Sequence, residues 1–347
     1  MQTAFAFTGS PNGQCAKVLH KWADMDTMQP DSSASPFGFR LSPDELVRVL
    51  RFLPSAPRVL PKLKGLLSDG NSSMAEVVSL IRLDPGIAAR VLQIGNSAYY
   101  SQGLRCYTVD EAVNRVGYDE VYGLVANAVA SQVLIRPLVA YGLEADDLWR
   151  KSVSCAIGAE LLSERLEIGR DIAYTVGLLH GVGMVAIDEW AFRQQTGIFF
   201  APGELPLETC EAERATLGFH NAEAGASLLR LWEFPPVMTE PVRWQYLPRG
   251  TAAHFALSGV LHVAKWLRDT VCNEGERPKQ PDPLLLRALK VTRAQLDKLA
   301  DEVQLRMQDV SSLLESSLPD RSCLTFPNGE REIASHAVTR SFIDRYV

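Results

Sequence analysis

From Leu41 onward the apolar residues recur every three or four positions, the period of an α-helix, and nowhere sustain the alternation of a strand. Val59, Leu60, Leu63, Leu66 and Leu67 make one such row, and Ile87, Ala88, Val91, Leu92 and Ile94 another. Leu296, Leu299, Val303, Met307, Val310 and Leu314 make a third, near the end. The starts are marked by caps. Ser42 with Pro43 and Glu45, Ser73 with Glu76, Thr108 with Glu111 and Thr292 with Gln295 each have a hydroxyl followed three residues later by an acid or amide. The stops are Gly, Asn and Pro: Leu53-Pro54-Ser55-Ala56-Pro57, Asp69-Gly70-Asn71, Gly95-Asn96-Ser97 and Pro137.

The same reading predicts a helix over 119–135, a long one over 144–166, one apolar run over 170–190, and further helices ending near 217, 232 and 272. Helices without intervening strands pack as an all-α fold. Tyr141-Gly142 is the natural internal joint, so two helical lobes are expected: residues 41–141 and residues 142–318. Residues 1–40 read as a flexible arm, ending in the Pro- and Ser-rich stretch 30–36, and residues 319–347 as a tail.

Composition narrows the function classes. The chain has 347 residues, 46% hydrophobic, which is enough for a large buried core. Its 35 basic against 41 acidic residues give a net charge of −6, which argues against a nucleic-acid partner. No uninterrupted apolar run reaches the roughly 18 residues of a membrane span, and the apolar first ten residues lack the basic start of a signal peptide. A cytoplasmic protein is expected. The six cysteines are scattered with no CxxC pair, as reduced packing thiols would be.

One stretch carries candidate chemistry. Leu178-Leu179-His180-Gly181-Val182-Gly183-Met184 puts a histidine and a tight turn inside an apolar run. It is either what is left of a metal site or a packed histidine beside Val176, Met184 and Ile187 with its ring nitrogens satisfied locally. Other ligand types in the same half are His220, His254, His262, Asp188, Glu189 and Glu223, although His220 also stands where a helix cap would. Asn96 and Ser97 are candidates for binding or for ending a helix. Tyr99 and Tyr100 are candidates for recognition, with packing between lobes as the expected role.

Asp84-Pro85-Gly86-Ile87-Ala88-Ala89-Arg90-Val91-Leu92-Gln93-Ile94-Gly95-Asn96-Ser97-Ala98-Tyr99-Tyr100 resembles the signature of HDOD domains, the HD-related output domains of bacterial signalling proteins. Leu53-Pro54-Ser55-Ala56-Pro57, Leu148-Trp149-Arg150-Lys151-Ser152, Gly177-Leu178-Leu179-His180 and Gly218-Phe219-His220-Asn221-Ala222-Glu223-Ala224-Gly225-Ala226 follow in the family's order. The resemblance covers about 41 to 317 and implies an N-terminal helical lobe packed on an HD-like lobe. Active HD enzymes hold a divalent metal with a His, a His-Asp pair and a later Asp. Carried over, those positions are Lys151, His180-Gly181 and Lys265, so one ligand of four remains. Trp244-Gln245-Tyr246 stands where relatives often have a Tyr-His-His.

Protonated lysines repel a cation and glycine offers no donor, so neither metal nor other cofactor is expected. Arg150, Lys151 and Lys265 would instead suit an anion, or simply be solvated or ion-paired. The resemblance therefore implies a non-catalytic signal-transduction regulator. Its partners would be other signalling proteins or a nucleotide-like signal. The competing expectation is a metal-dependent phosphohydrolase or phosphodiesterase with an altered site. With no room for a receiver or cyclase domain in the flanks, the module is expected to stand alone.

Overall fold

The computed structural model describes residues 41–48, 59, 62–63, 66, 73–101, 103–117, 120–121, 123, 137–164, 166, 168–200, 206–246, 248, 254–273 and 277–315. The N-terminal arm, the Leu53-Pro54 entry, most of the expected 119–135 helix and the C-terminal tail lie outside them. The first half holds α1 (Pro43–Val47), α2 (Met74–Arg82), α3 (Pro85–Asn96), α4 (Ala98–Ser101) and α5 (Val109–Val116). After a 3-10 turn at Val139–Tyr141 come α6 (Ala145–Glu164), α7 (Arg170–Leu179), α8 (Val182–Arg193), α9 (Pro206–Leu217) and α10 (Asn221–Leu231). The chain continues through α11 (Pro236–Arg243), α12 (Phe255–Cys272), α13 (Pro283–Ala288) and α14 (Arg293–Glu315). The described residues form no strand. Leu138 and Leu143 make one isolated antiparallel bridge around Gly142, whose φ of 58° suits a residue without a side chain. The fold is all-α.

Three of the four expected capping boxes close as read. At Ser42, Ser73 and Thr292 the hydroxyl accepts from the third residue's N–H, and that residue's side chain accepts in return from the cap's N–H. Thr108 differs. Its hydroxyl accepts from Glu111 N–H at 3.1 Å, but the Glu111 carboxylate reaches one residue further back, to the N–H of Tyr107 at 2.7 Å.

The expected single run over 170–190 is two helices. His180 and Gly181 form the break between α7 and α8, with Met184 N–H bonding back to the Gly181 carbonyl at 3.0 Å. The apolar pattern concealed the corner because both helices are buried on most faces.

Glycine sets the close approaches on either side of that corner. A Cβ on Gly177 would lie 2.7 Å from Ala156 Cα, so α7 presses directly on the backbone of α6. A Cβ on Gly183 would lie 1.8 Å from the Asn221 carbonyl oxygen, so α8 meets the start of α10 with no side chain between them. Around α6 lie α7, α12 and α14, while α10 packs on α8, α11 and α1. Thus α1, at the start of the expected N-terminal lobe, rests on two helices of the second. Arg230 lies 3.9 Å from Asp44, and Ser227 donates to the same carboxylate. Trp149 seals the other contact, its indole N–H donating to the Leu83 carbonyl at 2.9 Å.

Candidate functional site

His180 sits at the corner between α7 and α8, 5% exposed, facing α12. Its Nδ1 lies 2.7 Å from the Gly177 carbonyl oxygen, and its Nε2 lies 2.6 Å from Nη1 of Arg268. A carbonyl only accepts and a guanidinium only donates. The ring is therefore neutral, with its proton on Nδ1 and its Nε2 lone pair directed at the arginine. Burial and the neighbouring Arg268 and Lys265 charges hold this imidazole well below the ordinary histidine range. Arg268 is held from its other side by Asp269, with Nε donating to Oδ1 at 2.8 Å and Nη2 to Oδ2 at 2.9 Å. Burial opposes the guanidinium charge, but Asp269, with smaller contributions from Cys155 and Tyr246, holds it above the ordinary arginine range.

Lys265 stands one helical turn before Arg268 on α12, also buried. Its Nζ donates to Gln245 Oε1 at 2.9 Å and lies 3.2 Å from the centre of the Tyr246 ring. Burial first, and then Arg268, bring this amine down to about 7. Gln245 closes the loop by donating from Nε2 to the His180 carbonyl at 3.0 Å. Tyr246 passes the network outward, donating to Asn221 Oδ1 at 3.0 Å. Asn221 in turn donates to the buried Glu213 from its backbone at 2.7 Å and its amide at 2.8 Å. Glu213 accepts from the Tyr141 hydroxyl at 2.5 Å. A continuous buried chain of polar contacts thus joins the 3-10 turn at Tyr141 to His180 and Asp269.

The remaining candidates separate. Lys151 is half-buried behind Arg268, and its amine is lowered by burial and by that charge. Arg150 is exposed on α6 and meets no carboxylate among the described residues. Gly181 approaches only a Leu148 methyl, 3.4 Å from where its Cβ would be. His220 caps α10: its N–H donates to Glu223 at 3.0 Å, while its Nδ1 is buried without a hydrogen-bond partner. His262 Nδ1 lies 3.0 Å from the Gln245 carbonyl, and burial brings that ring down to about 4. Asp188 accepts from Ala140 N–H at 2.8 Å, and Glu189 pairs with Arg193 at 2.6 Å.

Asn96 is fully buried and exchanges two hydrogen bonds with the Cys106 backbone, at 3.1 and 2.7 Å. Ser97 returns its hydroxyl to Ile94 at 2.7 Å. These two fix the turn after α3. Tyr99 does not pack between the lobes as expected. It is 83% exposed, its ring meeting the edge of Tyr100 at 4.7 Å.

A divalent metal needs several converging lone pairs. Here the position is ringed by cations: Lys265, Arg268 and Lys151 surround His180, whose Nε2 is already engaged. Among the described residues no three of His, Cys, Asp and Glu come together to hold a metal ion. The residues present do not fit the metal of an HD enzyme. Arg268, Asp269, Gln245, Asn221 and Glu213 were not foreseen as members of this centre. One signal in the sequence would have shown the first two: Lys265, Arg268 and Asp269 are charges at i, i+3 and i+4 inside an otherwise apolar helix.

The sequence pattern of the HDOD domain matches residues 53–248, more than half of the chain. The chain belongs to the HDOD family. This HDOD protein is 25% identical over 200 residues to an uncharacterized protein of Treponema pallidum, the match taking in 56% of this chain and 37% of that one. It therefore spans little more than a third of that relative's length. Among solved structures it shares its fold with the MmoQ response regulator of Methylococcus capsulatus. That match has a TM-score of 0.58 at 19% identity and covers 73% of this chain and 99% of that one. A virulence factor of Campylobacter jejuni matches at a TM-score of 0.54 and 19% identity, covering 80% and 96%. None of the described helices is long and apolar enough to cross a membrane.

Proposed function

We propose that this HDOD protein is a non-catalytic regulator in bacterial signal transduction, acting through contacts with other proteins. The single observation that carries the reading is the Arg268 guanidinium, 2.6 Å from the histidine nitrogen that a metal would need. With His180 taken from the motif as a former ligand, a fixed internal cation, locked by Asp269, faces the nitrogen that would hold an HD enzyme's ion. It can neutralise the site without activating water, because it has no open coordination position and no lone pair. Lys265 and Lys151 occupy two further ligand positions and Gly181 the fourth. The description of MmoQ as a response regulator agrees with a signalling role.

The mechanism follows from the polar chain rather than from hydrolysis. Tyr141, at the turn where the two halves meet, is bonded through Glu213, Asn221 and Tyr246 to the Lys265 centre. A partner that shifts the first half against the second must move Tyr141 and load this chain of contacts. Coupling is read by a double-mutant cycle between Tyr141→Phe and Gln245→Leu, which do not touch each other. The reading expects their combined loss of stability to depart from the sum of the two single losses by at least about 0.5 kcal/mol. The catalytic alternative is tested directly by incubating the purified protein with Mn, Mg, Fe or Zn salts and measuring bound metal and phosphodiester turnover. The proposal expects no stoichiometric metal and no turnover. Stoichiometric metal that disappears in His180→Ala together with activity would overturn it.

A further inference from the structure

Beside the buried centre, α6, α12 and α14 leave a cavity of about 250 Å³ that the regulatory reading does not use. Arg150 and Ser154 line it from α6, Cys272 from the end of α12, and Gln308, Ser311 and Ser312 from α14. Its wall on α14 has its own pattern. Val303, Met307, Val310 and Leu314 form the row that packs inward, while Gln304, Gln308 and Ser311 form a second, uncharged polar row beside it. Elsewhere on α14, Arg306 pairs with Glu160 and Glu302, and Asp297 with Arg277. The polar row facing the cavity has no such pairing, and neither does Arg150 among the described residues. Behind the cavity stand Lys151 and Arg268, set against Asp269 and Asp147.

We infer that this cavity binds a small phosphate monoester, with Arg150 as its principal cation. The guanidinium fork matches two phosphate oxygens. The Ser311 and Ser312 hydroxyls and the glutamine amides supply donors for a tetrahedral oxyanion from several sides, more than a planar carboxylate can use. The volume of about 250 Å³ suits a phosphorylated compound of sugar-phosphate size. Arg150 and Ser154 lie within residues 53–248, whereas the α12 and α14 walls follow them, so the site joins the matched region to the helices after it. The inference is independent of whether the His180 centre is catalytic, since none of the lining residues is a former metal position.

The test is calorimetric titration of the full chain with inorganic phosphate, glycerol 3-phosphate and citrate. Glycerol 3-phosphate is expected to bind with a Kd below about 1 mM, more tightly than citrate. Arg150→Ala, at an exposed position that leaves the fold intact, should weaken it about tenfold or more. Saturating ligand should also slow alkylation of Cys272, followed on its own peptide by mass spectrometry. Ser311→Trp, which fills the cavity, should abolish binding. Absence of binding by either phosphate probe, citrate binding as tightly as the ester, or affinity unchanged in Arg150→Ala would each overturn the inference.

Discussion

Replacing Arg268 by alanine should destabilise the protein by about 3–5 kcal/mol, because it leaves a buried carboxylate unpaired. Asp269 is 8% exposed and loses both charge-assisted bonds, at 2.8 and 2.9 Å. His180 loses the donor at its Nε2, a smaller cost of about 1–3 kcal/mol unless water enters the space. Relief works the other way, since Arg268 is a repulsive neighbour of Lys265 and Lys151. That relief keeps the net loss near the range for a broken buried pair rather than above it. For a domain of this size about 2 °C of melting temperature is lost per kcal/mol, so the transition should fall by about 6–10 °C.

Urea denaturation followed by circular dichroism measures the loss, with Arg268→Ala, Asp269→Ala and the double variant compared. Removing both partners abolishes the orphaned charge, so the double variant should lose much less than the sum, with a coupling of at least about 2 kcal/mol. A loss under about 1 kcal/mol for Arg268→Ala, or strict additivity, would refute the placement of this pair at the centre.

Three further outcomes follow from particular contacts. Lys265 binds its proton less readily in the folded chain, at about 7 against an ordinary 10.5, so between those values the unfolded chain holds more protons and stability rises with pH. Lys265→Met should therefore gain most over the wild type at or below pH 7 and lose that advantage toward pH 10; a difference flat with pH counts against a buried lysine. His262, brought down to about 4, should add a fall in wild-type stability as pH drops below about 6.5, absent in His262→Phe, while Glu213, shifted upward, contributes with the opposite sign. Gly183→Ala should cost about 3 kcal/mol or more in a denaturant titration, because its Cβ meets a backbone oxygen that cannot turn aside. Asn96→Ala should cost about 2 kcal/mol by stranding the Cys106 backbone, whereas Tyr99→Ala should change stability by no more than about 0.5 kcal/mol.

Helices, caps and family were legible in the sequence because each rests on local spacing. A hydroxyl and an acid three residues apart at Ser42 and Ser73 determine a helix start with no help from distant chain. A tight turn at His180-Gly181 was legible, but not that it ends one helix and starts another, since residues on both sides are apolar and periodicity cannot report a change of helix axis. The motif pointed to Lys151, His180, Gly181 and Lys265 as the positions to inspect, but it could not reveal Arg268. Arg268 reaches His180 across 88 positions of sequence, and only the packing of α7 on α12 brings them together. His180 was posed as either a core residue or a ligand, and its surroundings are neither wholly apolar nor metal-binding: they are cationic. Tyr99 was misplaced for a related reason, because an aromatic pair after a signature helix has the same pattern whether it faces a neighbouring lobe or solvent.

The central claim is that an arginine has taken the metal's place at His180. The imidazole resonances of His180, read by nitrogen-15 NMR across pH 5 to 8 with and without excess manganese or zinc, test it most directly. The account predicts a neutral ring protonated on Nδ1 throughout that range, with Nε2 unmoved by the metal salts. A metal-induced shift or paramagnetic loss at Nε2, saturating at one ion per chain, would contradict it.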